Sequence, residues 1–226
     1  MTTLTMIQKM ATGLGRTFAI FFLTLAFSLP LGVILALLRR SKVGVLRGIT
    51  RTLISILRGT PLMLQLLAVT YGPYYISKFL ESQFGLALGI GVARNKLVPI
   101  ITGFAINYAA YFAEIYRGGI ESMSQGQYEA AEVLGYSRTQ TFMRIILPQV
   151  VKRILPSITN EVITLVKDTS MAFTVGYQEM FTIGKTISNS ESSFMPFLIA
   201  GVFYFLFNGI VDFVMTRFER KLNYYR

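Results

Sequence analysis

Four polar residues stand inside otherwise apolar segments and could handle a charged solute. Glu161 lies about 10 Å, and Asn107 about 15 Å, below the start of its predicted membrane span, at 1.5 Å per residue. A carboxylate at that depth is costly and should face a cavity or a partner. Glu161 could accept the ammonium group of a zwitterion, with Asn107, Asn160 and Thr164 supplying hydrogen bonds. The sequence leaves open the alternative that these groups only hydrogen-bond one helix to another.

Other chemistry is poorly supported by this composition. The chain has no cysteine and no histidine, which excludes thiol chemistry, disulfides and the commonest transition-metal ligands. Paired carboxylates and a nucleophile with its base are also missing, so we do not expect an enzyme. Gly184-Lys185-Thr186 ends like a phosphate-binding loop, but Glu179 stands where such a loop needs its first glycine. We therefore expect no cofactor, ATP included, on this chain.

The composition predicts a membrane protein. Of 226 residues, 53% are hydrophobic and only 15% are charged. Apolar runs predict five spans in one transmembrane domain over residues 1–226, at about 18–38, 60–77, 97–115, 154–176 and 194–214. The first run is too long for a signal peptide and should stay as an anchor. The net charge of +11 comes from basic residues between apolar runs, so nucleic acid is not an expected partner.

The placement of those basic residues predicts the orientation. Fifteen Lys and Arg residues fall in the segment 39–58, the loop 117–153 and the tail that ends at Arg226, against six on the other side. The larger set should be cytosolic, which gives an external N-terminus and a cytosolic C-terminus. Residues 39–58 read as an amphipathic helix on the inner surface, or as the early part of the second span. Residues 79–96 should form an outer loop with a short interfacial helix.

The loop 117–153 is predicted to form a helix, a sharp turn and a second helix. Glu129, Ala130, Ala131 and Leu134 belong to the first helix, whose small alanines can lie close against a partner surface. Gly135 suits the left-handed position just past its end. Ser137-Arg138-Thr139-Gln140 is a capping box for the second helix, which Pro148 should end.

This spacing resembles the EAA loop of permease subunits of ATP-binding-cassette (ABC) importers. Arg58-Gly59-Thr60-Pro61-Leu62, Gly126-Gln127, Asn160-Glu161 and Lys167-Asp168-Thr169-Ser170 are similar to the polar amino acid importers of the histidine and glutamine type. The resemblance implies an all-α, type I importer permease fold with five transmembrane helices in a bacterial inner membrane.

The same resemblance implies partners. A separate ATPase would bind ATP and Mg²⁺ and grip the loop at Glu129, Ala130, Ala131, Leu134 and Gly135. A second permease subunit, identical or closely related, would complete the pathway, and an extracellular binding protein would deliver a polar amino acid. The rival interpretation is a secondary transporter driven by an ion gradient, with Glu161 as the titrating group. Such proteins commonly have inverted repeats and many more spans, which this sequence lacks.

Overall fold

The computed structural model describes residues 1–222, and the regular structure within them is entirely helical. A π-helical turn over Thr141–Ile146 and a 3-10 helix over Thr169–Val175 flank the eighth α-helix. The all-α prediction is confirmed, whereas Arg226 lies outside the described residues. The α-helices are α1 (Thr3–Ala11), α2 (Leu14–Arg39), α3 (Gly44–Gly59), α4 (Leu62–Phe84), α5 (Leu97–Glu121), α6 (Gln125–Val133), α7 (Arg138–Gln140), α8 (Leu147–Asp168), α9 (Met180–Glu191) and α10 (Met195–Leu222).

The long helix α5 lies at the centre of the bundle. It packs along α2 and also against α4 and α8. Small side chains allow helices in a membrane to approach closely, and α5 buries several of them. On the α2 side, a Cβ added at Gly32 would lie 2.8 Å from the Cβ of Phe112, so glycine is needed at that crossing. The buried small residues of α5 are Gly103, Ala105, Ala109, Ala110, Ala113 and Gly119.

Three helical stretches are long and apolar enough to cross a membrane: Thr3–Arg39, Leu97–Glu121 and Met195–Leu222. The helices α3 and α4 reach that standard only together, and they are bent by 111° at the break between them. Within residues 1–222 the count by length and composition is therefore three, or four if the bent pair is one span. The sequence had predicted five.

The predicted span over 154–176 is the one that length and composition do not support. The chain leaves α-helical geometry at Thr169, and the helix before it is rich in charge, which lowers its mean hydropathy. The charged residues of α8 are Lys152, Arg153, Glu161, Lys167 and Asp168.

The break before α4 explains why the second predicted span has different limits. Gly59 is the last residue of α3, and α4 begins at Leu62, with Pro61 before it and no side-chain cap. Thus α3 is a separate helix rather than the early part of a straight span. The next helix, α4, runs to Phe84 instead of ending near residue 77. Residues 85–96 contain no helix, so the interfacial helix predicted within 79–96 is replaced by the end of α4.

Two short helices, α1 and α9, escaped the sequence analysis. They pack together with α10 through Met6, Met10, Met180 and Ile187. Neither contains an apolar run of span length, and helices of this size depend on tertiary packing for most of their stability.

Candidate functional site

The predicted helix, turn and helix are present, and we call residues 125–140 the elbow. Its first helix, α6, ends at Val133, and Gly135 adopts the left-handed conformation with φ +79°. The amide of Gly135 donates to the carbonyl of Glu132 at 2.9 Å, and the amide of Tyr136 donates to the carbonyl of Ala131 at 3.0 Å. These bonds pair carbonyls that the end of a helix leaves open. The predicted turn at Gly135 is confirmed.

The second helix begins as predicted but does not end at Pro148. The Ser137 hydroxyl accepts from the amide of Gln140, and the Gln140 side chain accepts from the amide of Ser137, so both halves of the capping box are present. The π-helical turn then leads directly into α8. A π turn shifts the hydrogen-bond pattern by one residue, here just before a proline that has no N–H to donate. The elbow is therefore continuous with α8.

The outward face of the elbow differs from the predicted one. Ala131 is only 1% exposed and faces the chain itself, so it does not lie open to a partner. The exposed tip is formed by Val133, 88% exposed, and Leu134, 73% exposed, with Glu129 and Ala130 also at the surface. The sequence analysis missed Val133, although two adjacent apolar residues before a turn glycine were a usable signal.

The elbow is braced against two long helices. The side-chain amides of Gln127 and Gln149 donate to each other at 2.8 Å, which joins α6 to α8. Arg153 of α8 donates to the carbonyl of Ser122, just past α5, at 3.0 Å. In the same place Tyr128 of α6 packs against a buried cluster that contains Ile146 and Val150. These contacts, which sequence reasoning missed, link any movement of the elbow to α5 and α8.

A cluster of charged side chains lies at the end of α5 that leads to the elbow. The carboxylate of Glu114, 13% exposed, contacts Arg39 of α2 and lies 3.7 Å from Arg58 of α3 and 2.8 Å from Arg117 of α5. It therefore ties three helices together. The sequence analysis missed Glu114. The available signal was an acid near the end of an apolar span, three residues before an arginine.

Three of the four candidate pathway residues share one face of α8. Asn160 and Thr164 are exposed, Glu161 is half-buried, and the Thr164 hydroxyl donates to the carbonyl of Asn160 at 2.9 Å. Within residues 1–222 no Lys or Arg nitrogen lies within 4 Å of the Glu161 carboxylate. Arg58 and Asp168 are charged groups that act electrostatically on this carboxylate.

Asn107 lies apart from this strip. It is 4% exposed, and its amide nitrogen donates to the side-chain oxygen of Gln65 at 3.0 Å and to the carbonyl of Leu57 at 3.3 Å. Gln65 in turn donates to the carbonyl of Leu57 and to the Thr60 hydroxyl, both at 2.8 Å. Asn107 thus fastens α5 to the break between α3 and α4. These contacts favour the helix-bonding alternative for this residue.

Comparison with known proteins identifies the family to which this chain belongs. Residues 28–224 match the family described as binding-protein-dependent transport system inner membrane component. The L-cystine transport system permease protein TcyL of Bacillus subtilis (strain 168) is 34% identical over 210 residues, covering 91% of this chain and 84% of the relative. The octopine transport system permease protein OccM of Rhizobium radiobacter is 37% identical over 201 residues, covering 87% and 80%.

Solved structures agree with this assignment. The crystal structure of an amino acid ABC transporter with histidines is similar with a TM-score of 0.82 and 28% identity, covering 98% of this chain and 99% of that one. The methionine ABC transporter MetNI, inward facing, has a TM-score of 0.65 at 20% identity over 96% of both chains, which supports the fold alone. With a family match across most of its length and relatives above 30% identity, this chain belongs to the binding-protein-dependent transport system inner membrane components, the permease subunits of ABC importers, which are transport components rather than enzymes.

Proposed function

We propose that this chain is the membrane-spanning subunit of an ATP-driven importer of polar amino acids. The names of its relatives support this substrate class, since they refer to cystine, octopine and, for a Rickettsia bellii protein 32% identical, glutamine. In this proposal a separate ATPase binds ATP and Mg²⁺, and a second permease subunit, identical or related, completes the pathway. An extracellular binding protein delivers the amino acid. In this proposal the chain lies in the bacterial inner membrane with an external N-terminus and a cytosolic C-terminus. Its five spans include α8, which length and composition alone do not identify as a span.

The elbow is the proposed coupling device. Its exposed apolar tip, Val133 and Leu134, would enter a cleft on the ATPase, with Glu129 and Ala130 on the same exposed helix. Ala131 would pack the elbow against the rest of the chain, and Gly135 would form the turn. Because the elbow runs into α8 and is braced against α5, closure of two ATPases would move both helices as one body. This exposed apolar tip on a braced elbow is the observation that carries the proposal.

The proposed substrate path follows the polar strip of α8. Glu161 would attract the ammonium group of an amino acid, and Asn160 and Thr164 would supply hydrogen bonds to the same amino acid. Asn107 would act indirectly, by holding the break between α3 and α4 in place. The same Glu161 was the basis of the ion-gradient alternative, which the family membership does not favour.

Cross-linking tests the coupling proposal cleanly, because the natural chain contains no cysteine. Val133→Cys and Leu134→Cys should each cross-link to the ATPase in isolated membranes, since their side chains are exposed. Ala131→Cys is the matched control in the same helix and should not react, since that position is buried. Absence of any cross-link at Val133 and Leu134, or equal reaction of all three sites, would contradict the docking face.

Transport by the reconstituted complex tests the energy source and the substrate path. Uptake into proteoliposomes should require ATP on the elbow side and should survive collapse of the proton and sodium gradients. Glu161→Gln should lower uptake, while Glu81→Gln, an exposed carboxylate change outside the elbow, serves as the control for expression and assembly. Uptake without ATP that follows an ion gradient would support the rival class instead.

A further inference from the structure

An arginine-lined cavity of about 440 Å³ lies between the ends of α2 and α5 and the first turns of α3. Five of its lining residues are arginines and one is a carboxylate. That carboxylate, Glu121, is already engaged by Arg117. The residues around the cavity are Arg39, Arg40, Gly44, Arg47, Gly48, Arg51, Arg117 and Glu121. Its charge alone indicates an anionic occupant.

Three of these arginines have no acidic partner within the described residues. Arg39 and Arg117 share Glu114, but within residues 1–222 no carboxylate lies within 4 Å of Arg40, Arg47 or Arg51. Arg47 and Arg51 are four residues apart on one helix, where like charges repel. A bound anion would relieve this repulsion, and a guanidinium group matches two oxygens of a phosphate at once.

The start of α3 adds to the same site. No side chain caps this helix, and its first turn contains no acid, so its leading N–H groups favour an anion. Gly44 and Gly48 line the cavity, and a Cβ at either position would meet nothing within 4 Å. The backbone of α3 is therefore open to a group of headgroup size.

The neighbouring face of α3 is apolar and uncovered. Val45 is 73% exposed, Ile49 62% and Ile56 55%, while Ile54 on the inner face is buried in the bundle. A helix with a basic face beside an exposed apolar face is suited to the boundary between headgroups and acyl chains. Such an arrangement offers a place both for a phosphate and for the hydrocarbon attached to it.

We propose that this cavity binds the phosphate group of an anionic phospholipid, with the acyl chains lying along the exposed apolar face of α3. Free inorganic phosphate would use the arginines but not Val45, Ile49 and Ile56, so the apolar face selects a lipid as the source of the anion. The bound lipid joins the ends of α2, α3 and α5 beside the Glu114 cluster. This inference does not depend on which solute the chain transports.

Native mass spectrometry of the full chain in detergent, titrated with phosphatidylglycerol, tests the proposal. The wild type should bind phosphatidylglycerol more tightly than phosphatidylcholine. Each arginine near a headgroup contributes roughly a factor of five in affinity, so Arg47→Gln with Arg51→Gln should weaken binding about 30-fold. Gly48→Glu places a carboxylate in the cavity and should also weaken binding, while Gly48→Gln, nearly the same size but neutral, should weaken it less.

The outcomes separate the possible occupants. Equal binding of phosphatidylglycerol to the wild type, the double arginine variant and Gly48→Glu overturns the proposal, as does equal affinity for phosphatidylcholine. Inorganic phosphate that displaces the lipid at comparable concentration identifies a free-anion site and overturns it too. Loss of ATPase association without loss of lipid binding would assign the arginines to a protein contact. If Gly48→Glu aggregates during gel filtration, the double arginine variant decides the question.

Discussion

Gly135→Val isolates the contribution of one backbone angle to coupling. Gly135 has φ +79°, and a Cβ there would meet no atom within 4 Å, so the substitution adds strain without a steric clash. A side chain in left-handed geometry costs about 1–2 kcal/mol, and the cost is greatest for a β-branched residue. A penalty of that size lowers the population of the native turn by up to about 5- to 30-fold.

The loss should appear in the affinity for the ATPase. When only a fraction of molecules has the binding-competent turn, the apparent Kd rises by the inverse of that fraction, so we expect a Kd up to about 5- to 30-fold weaker. Uptake by reconstituted complexes should fall in parallel. The permease itself should still elute as a folded species, because Gly135 is at the surface and the hydrogen bonds between Gln127 and Gln149 that brace the elbow do not involve it.

Gly135→Asn is the matched control, because asparagine enters the left-handed region more easily than other residues with a side chain. It should retain most of the ATPase affinity. Wild-type affinity and uptake for Gly135→Val would refute the argument. An equal defect in both variants would show that a side chain at this surface, rather than the backbone angle, disturbs docking.

Three further predictions concern stability in detergent. Gly13→Ala would place a Cβ 2.6 Å from the backbone nitrogen of Met180, the first residue of α9, and should lower the free energy of unfolding by about 1–3 kcal/mol. Gly15→Ala meets nothing within 4 Å and should lower the melting temperature little. Glu114→Gln removes the shared acid of three arginines and should lower the free energy of unfolding by about 3–5 kcal/mol, measured by heat or denaturant. The exposed Glu121→Gln is the control and should lower it by at most about 1 kcal/mol. Equal losses in the two variants would refute the bridging role of Glu114. Burial raises the pKa of the Glu179 carboxyl above its ordinary 4.5, although hydrogen bonds to its oxygens oppose the shift. The folded state therefore holds this proton more tightly, so stability should fall as pH rises from about 4.5 to the raised pKa, and Glu179→Gln should flatten that slope.

Local signals in the sequence were enough for the elbow and for the helical class. A left-handed glycine and a capping box depend on backbone groups within a few residues of each other, so Gly135, Ser137 and Gln140 could be assigned without any tertiary information. Long apolar runs likewise predicted α2, α5 and α10, because a segment that must satisfy its own backbone groups in lipid forms a helix. The short helices α1 and α9 gave no such signal, because they depend on packing against each other and against α10.

Only the tertiary structure decided which side chains meet. Ala131 is covered by its own chain, and Asn107 bonds to the break before α4, although both lay on helices whose positions were predicted. Glu114 and the arginines of the cavity come from α2, α3 and α5, segments up to about eighty residues apart. Helical periodicity fixes the direction of a side chain relative to its own axis. The rotation and crossing of one helix against another are set by packing, so the partners of these polar groups could not be read from the sequence.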